Sequence, residues 1–225
     1  MKLTLLSMLA LATASPAIER ESLLAAPLVV AFKEADSSIH RVGMCLGPQA
    51  AYESEELDAL DRRLDRLLYQ ATVTWGGNDI SMQAAINKTN DSDEDVDCAA
   101  NDITAMVEES RASLDRLENS LNDHLAAFDK GVWMGSVALC GGSPVKTEFA
   151  QHNIAGQEAL LITLDGPAVT ELAELTEASV GYPLALRVDG KIVVAPSINE
   201  PLLGGQFQIV GPDKPELERI ASLLA

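Results

Sequence analysis

Leu184-Ala185-Leu186-Arg187-Val188, then Asp189-Gly190, then Lys191-Ile192-Val193-Val194-Ala195 is the stretch that decides the fold. Two runs rich in branched apolar residues flank an Asp-Gly pair. A two-residue hairpin turn needs positive φ at both central positions, and Asp-Gly supplies them at low cost. Pro196 ends the second strand because it has no N–H to donate to a ladder. Upstream, the run Ala159 to Asp165 reads as a largely buried strand. Gly166-Pro167 breaks it and opens a helix, proline being tolerated in the first turn. Val169, Leu172, Ala173 and Leu175 give that helix its core face. Downstream, Gln206 to Val210 alternates as a third strand of the group. Asp213, with Glu216 three residues on, starts a last helix whose buried stripe is Leu217, Ile220, Ala221 and Leu224. The order β-α-β-β-β-α predicts an α+β unit, its sheet antiparallel or mixed and its helices on one face.

Before this unit the periodicity changes to helical. Leu57, Leu60, Leu64, Leu67 and Leu68 form one apolar face, begun by Ser54 as a cap and by Glu55 and Glu56 near the positive helix end. Ile103, Met106, Val107, Leu114, Leu117, Leu121, Leu125 and Phe128 form a second, closed by Gly131. Two such stripes in succession predict an antiparallel helical hairpin. In that arrangement Cys45 and Cys140 lie at one end and Cys98 at the other, so a Cys45–Cys140 disulfide is expected.

The connector between the helices is acidic, with Asp91, Asp93, Glu94, Asp95 and Asp97. As a calcium loop counted from Asp91 it has Val96 where a glycine is required and Asp102 where a bidentate Glu is required, so it reads as a solvated loop. Asn87-Lys88-Thr89 and Asn90-Asp91-Ser92 are glycosylation sequons.

At the N-terminus, Lys2 and the apolar run Leu3 to Ala14 precede small residues that fit a cleavage site. This predicts a signal peptide over residues 1–17 and a periplasmic or secreted product. The apolar run is shorter than the ~20 residues that span a bilayer. The expected organisation is 1–17 as leader, 18–150 as the helical region and 151–225 as the α+β unit.

The chain has 225 residues, 47% of them hydrophobic, which suits a folded protein rather than a disordered one. Its formal charge of −18 argues against nucleic acid and against anionic membrane surfaces, and only 4% of residues are aromatic. His40, His124 and His152 stand in separate segments without ligand spacing. There is no G-x-S-x-G elbow, H-E-x-x-H, P-loop or dinucleotide fingerprint. No catalytic residue, metal or cofactor is assigned, and a non-enzymatic module is expected.

The segment from Asp189 to Gly211, DGKIVVAPSINEPLLGGQFQIVG, resembles the head subdomain of the first periplasmic domain of the SecD and SecDF protein-export family. The similarity runs back through LALRV and LLITLD and forward through PELERIASLL, over about residues 158–225. It rests on Asp189, Gly190, Ala195, Pro196, Ile198, Asn199, Glu200, Pro201, Gly204 and Gly205, positions with the character of scaffold. The resemblance implies a periplasmic module that engages a translocating polypeptide. Unfolded or exported polypeptides and Sec translocase components are then the expected partners. Leu202, Leu203 and Phe207 are the expected lining of a polypeptide groove. Family members couple movement to proton flow through a membrane domain, and this sequence shows no membrane-spanning run, so no proton coupling is expected of it. A second reading is a structural or protein-interaction module that docks a helix or a second copy on the hairpin stripe.

Overall fold

Leu28, Phe32, Ala35, Ile39 and Val42 recur at intervals of four and three, which is one face of a helix. In the computed structural model that stripe is buried on α1, Ala26–Leu46. The structure describes residues 26–52, 54–76, 98, 102–140, 145–151 and 157–225. The leader over 1–17, the sequons and the acidic run 91–97 lie outside them.

After α1 and the short α2 (Pro48–Tyr52), Ser54 caps α3, Glu55–Trp75, its hydroxyl accepting from Leu57 N at 3.2 Å. Asp102 caps α4, Ile103–Leu125, and a 3-10 turn over Ala126–Phe128 follows. The three long helices pack into a bundle. Leu57, Leu60 and Leu67 of α3 and Leu114, Leu117 and Leu121 of α4 share one core with the α1 stripe. Each such side chain contributes ~2 kcal/mol by leaving water.

The ion pairs fix the direction of the helices. Arg111, early in α4, meets Glu56, early in α3, at 3.0 Å, while Arg63 further along α3 meets Asp115 at 2.7 Å and also Glu118. Partners that advance together mark parallel helices. Arg41, near the end of α1, meets Glu109, near the start of α4, so α1 runs antiparallel to α4. The expected antiparallel hairpin is therefore corrected. α3 and α4 run parallel, and α1 is their antiparallel neighbour.

The same geometry corrects the disulfide. The start of α4 lies beside the end of α1, and Cys45 is bonded to Cys98 with a Cα–Cα separation of 5.1 Å. Cys140 follows the opposite end of α4, a helix about 35 Å long, and its thiol is free.

Among the described residues that follow are seven strands and two helices: β1 (Val132–Met134), β2 (Val137–Ala138), β3 (Val145–Gln151), β4 (Glu158–Leu164), α5 (Pro167–Ala178), β5 (Leu186–Val188), β6 (Lys191–Val194), β7 (Gln206–Val210) and α6 (Lys214–Leu224). From residue 158 the order is strand, helix, three strands, helix. The strands enter two antiparallel sheets rather than one: β2-β1-β5-β6 and β3-β4-β7. Residues 132–134 and 145–150, read from sequence with the helical region, pair here with β5 and β4. Leu160, Ile162 and Leu164 of β4 and Phe207 and Ile209 of β7 point to one core. They meet Leu172 and Leu175 of α5, Leu184 just before β5, Leu186 within it, and Leu217 and Ile220 of α6 there.

Candidate functional site

The hairpin forms as its residues require. Asp189 (φ 46°) and Gly190 (φ 78°) both sit in the left-handed region between β5 and β6. Asp189 ties three elements together. Its N–H donates to Gly131 O at 2.9 Å, Oδ1 accepts from Gly131 N at 3.0 Å, and Oδ2 accepts from Arg219 of α6 at 2.5 Å. The turn is thus held against the end of the bundle and against the last helix.

Beyond β6 the chain crosses the top of α5. Pro196 O accepts from Leu184 N at 3.0 Å. Ile198 is buried, donates to Tyr182 O at 2.9 Å and accepts from Gly181 N at 2.7 Å. Asn199 and Glu200 face solvent. Leu202 N donates to Thr176 Oγ1 at 2.9 Å, and Gly205 O accepts from Leu164 N at 2.8 Å. Gly205, at φ 63°, lies so close to α5 that an added Cβ would sit 2.8 Å from Val169. Gly204 has open space around it. The contacts of Pro196, Ile198, Leu202 and Gly205 thus pin the loop over residues 195–205, which also holds Ala195 and Pro201, while Asp189 and Gly190 lie outside it in the hairpin turn.

The three residues expected to line a groove separate. Phe207 is 9% exposed in the sheet core, Leu202 is half-buried against the same core, and Leu203 is 71% exposed at the tip of the pinned loop. Leu203 is the one that offers an apolar contact to another molecule. The helical stripes, by contrast, are consumed inside the bundle, because α1 covers them.

A polar joint between bundle and sheets was not anticipated from sequence. Arg187 of β5 is 3% exposed, and burial pushes its guanidinium down to about 10. Its Nη2 donates to Thr74 Oγ1 at 2.6 Å, and its Cζ stands 5.7 Å over the Phe128 ring. Its Nη1 has no hydrogen-bond partner among the described residues. The last turn of α3 inserts here, with Val73 O accepting from Ala185 N at 2.8 Å. The negative end of the α3 dipole and the face of Phe128 replace the carboxylate that a buried arginine usually takes. Trp75 and Trp133 stack edge-on against Phe128, at 6.0 and 4.9 Å. The available signal was an arginine inside an apolar strand run.

At the far end of the bundle, a cleft of about 480 Å³ between α1 and α3 is lined by Ile39, His40, Met44, Leu57 and Asp61. Partial burial, followed by the charges of Asp65, Asp58 and Asp36, raises the Asp61 carboxyl above its ordinary value. Among the described residues no three His, Cys, Asp or Glu side chains converge as a metal site. No described helix is long and apolar enough to cross a membrane.

Residues 128–225 match the family model for the SecDF P1 head subdomain. The protein translocase subunit SecD of Acidaminococcus fermentans is 34% identical over 84 residues, which are 37% of this chain and 20% of that protein. SecD of Rickettsia bellii is 31% identical over 74 residues, 33% of this chain and 14% of that protein. A solved structure, described as "Structure and function of a membrane component SecDF that enhances protein export", aligns with 26% identity and a TM-score of 0.34, over 39% of this chain and 40% of that one. The chain thus spans a fifth or less of the curated relatives' length. The resemblance seen from residue 158 onward holds and reaches back to residue 128, where the 3-10 turn leads into the first sheet.

Proposed function

We propose that this chain is an exported, non-enzymatic accessory of protein translocation, in which a SecD/SecDF-type head holds polypeptide segments on the periplasmic side. The chain takes the polypeptide-contacting part of such a task, without proton coupling. The observation that carries it is the match of residues 128–225 to the head subdomain, together with the way the motif residues brace one loop and leave Leu203 at its tip. A braced loop presenting one aliphatic side chain suits transient contact with chains of varied sequence, because apolar contact is non-directional. Gly205 serves here as scaffold for that loop, and Asp189 and Gly190 as scaffold for the hairpin beside it.

A photoreactive amino acid at Leu203, introduced in living cells, tests the reading. Adducts with exported polypeptides or translocase subunits are expected, with none at Phe207, whose side chain is in the core. In solution, an unfolded exported protein is expected to bind the purified chain, and Leu203→Asp to weaken that binding at least several-fold. Binding no stronger than that of an unrelated acidic protein removes the reading.

A further inference from the structure

The outer edge of β3 carries a sequence that is complementary to itself. β3 pairs with β4 through seven consecutive register positions, and among the described residues no strand or backbone hydrogen bond occupies its other side. Its first five residues read Val145-Lys146-Thr147-Glu148-Phe149. Lys146 and Glu148 are exposed on one face of the sheet, and neither has an ion-pair partner among the described residues. Val145, Thr147 and Phe149 are on the other face, opposite Leu164, Ile162 and Leu160 of β4. Phe149 is 53% exposed although its neighbour Leu160 is fully buried, because nothing described lies beyond it at the edge.

We infer that this edge is the contact between two copies of the chain, joined antiparallel about a two-fold axis through Thr147. A two-fold axis makes each residue meet the partner residue at the same distance on the other side of the axis. Centred on Thr147, Lys146 meets the partner's Glu148 and Glu148 meets the partner's Lys146. On the other face Val145 meets the partner's Phe149, so both exposed rings are covered by an aliphatic neighbour. The neighbouring registers that keep the strands' hydrogen-bonding groups aligned are centred on Lys146 or Glu148. Each sets like charges directly opposite one another, which is unfavourable. Charge therefore selects one register, and the two three-stranded sheets become one of six strands. The unpaired N–H and C=O groups of the edge supply the ladder.

Sedimentation equilibrium of the purified, oxidised chain tests this. The expected result is a concentration-dependent rise in mass toward two copies. Lys146→Glu and Glu148→Lys each turn two attractive pairs into two repulsive ones, so each is expected to raise the dimer dissociation constant roughly tenfold or more. An equal mixture of the two variants restores every opposite-charge pair, and it is expected to associate where neither variant does alone. The doubly reversed chain, K146E with E148K, keeps the pairing and is expected to dimerise like the parent; it also serves if a single variant folds poorly. A chain that is monomeric at every concentration overturns the inference. So does a dimer indifferent to the reversals, or a mixture that fails to associate. None of these results bears on contact at Leu203.

Discussion

Two neighbouring glycines show how much a single Cβ can decide. Gly205 has a left-handed φ of 63° and faces Val169 at 2.8 Å from an ideal Cβ, whereas Gly204 has neither constraint. Gly205→Ala adds a strained backbone to a steric overlap and is expected to cost about 2 kcal/mol. Gly204→Ala is expected to stay within about 0.5 kcal/mol of the parent. Urea midpoints of the two variants check this, and equal midpoints contradict it. Arg187 poses the opposite question, since among the described residues it is buried without a carboxylate partner. Its folded pKa, pushed down to about 10, is below the ordinary arginine value, so at neutral pH the buried charge costs stability. Arg187→Met keeps most of the volume and removes the charge, and is expected to match or exceed the parent's stability. Arg187→Ala leaves a cavity beside Phe128 and is expected to lose about 3 kcal/mol. If Met is as damaging as Ala, the hydrogen bond to Thr74 outweighs the desolvation.

At the scale of elements, the disulfide follows from the direction of the helices. Cys45 and Cys98 are 53 residues apart in sequence, and in the chain-entropy view closing that loop stabilises by about 4 kcal/mol. Replacing both by Ser is expected to lower the unfolding free energy by that order, while Cys140→Ser changes it little. Peptide mapping without reductant should recover the 45–98 pair, with Cys140 the position that alkylates. The sequence could not reveal this pairing, because an apolar stripe reports which face of a helix is buried and not which way the helix runs. The stripe on α1, Leu28, Phe32, Ala35, Ile39 and Val42, was written in the chain as clearly as those on α3 and α4. Without the α1 stripe, those on α3 and α4 have only each other as partners. Strands were easier where chemistry punctuates them: Asp189-Gly190, Gly166-Pro167 and Asp213 set their boundaries locally. The division of the strands into two sheets depends on β1 and β3, which are short or half-exposed and carry no such marks. Of the candidate site, the bracing residues were legible. Burial of Phe207 was legible as well, because the alternation Gln206-Phe207-Gln208-Ile209 sets Phe207 on the apolar face of β7, at odds with a place in an open groove.

For the whole molecule, the decisive feature is that bundle and sheets are not two independent bodies. The last turn of α3 supplies Val73 O to Ala185 N, Thr74 to Arg187, and Trp75 to Phe128, and all of these contacts are interior. Residues 128–225 match a family unit by themselves, yet here part of their core wall comes from a segment more than fifty residues earlier. A fragment comprising residues 126–225 loses the burial of Trp75 against it, worth ~2 kcal/mol, and two hydrogen bonds at ~1 kcal/mol each. It is therefore expected to be less stable than the intact chain by about 4 kcal/mol, read from urea unfolding. Hydrogen exchange localises the effect. The Ala185 amide, fully buried and bonded to α3 in the intact chain, should exchange at the rate of global unfolding there and much faster in the fragment. If that amide is equally protected in both, the joint is mere contact. If it is released, displacement of the bundle must strain β5 and, through the Asp189 turn, reach α6.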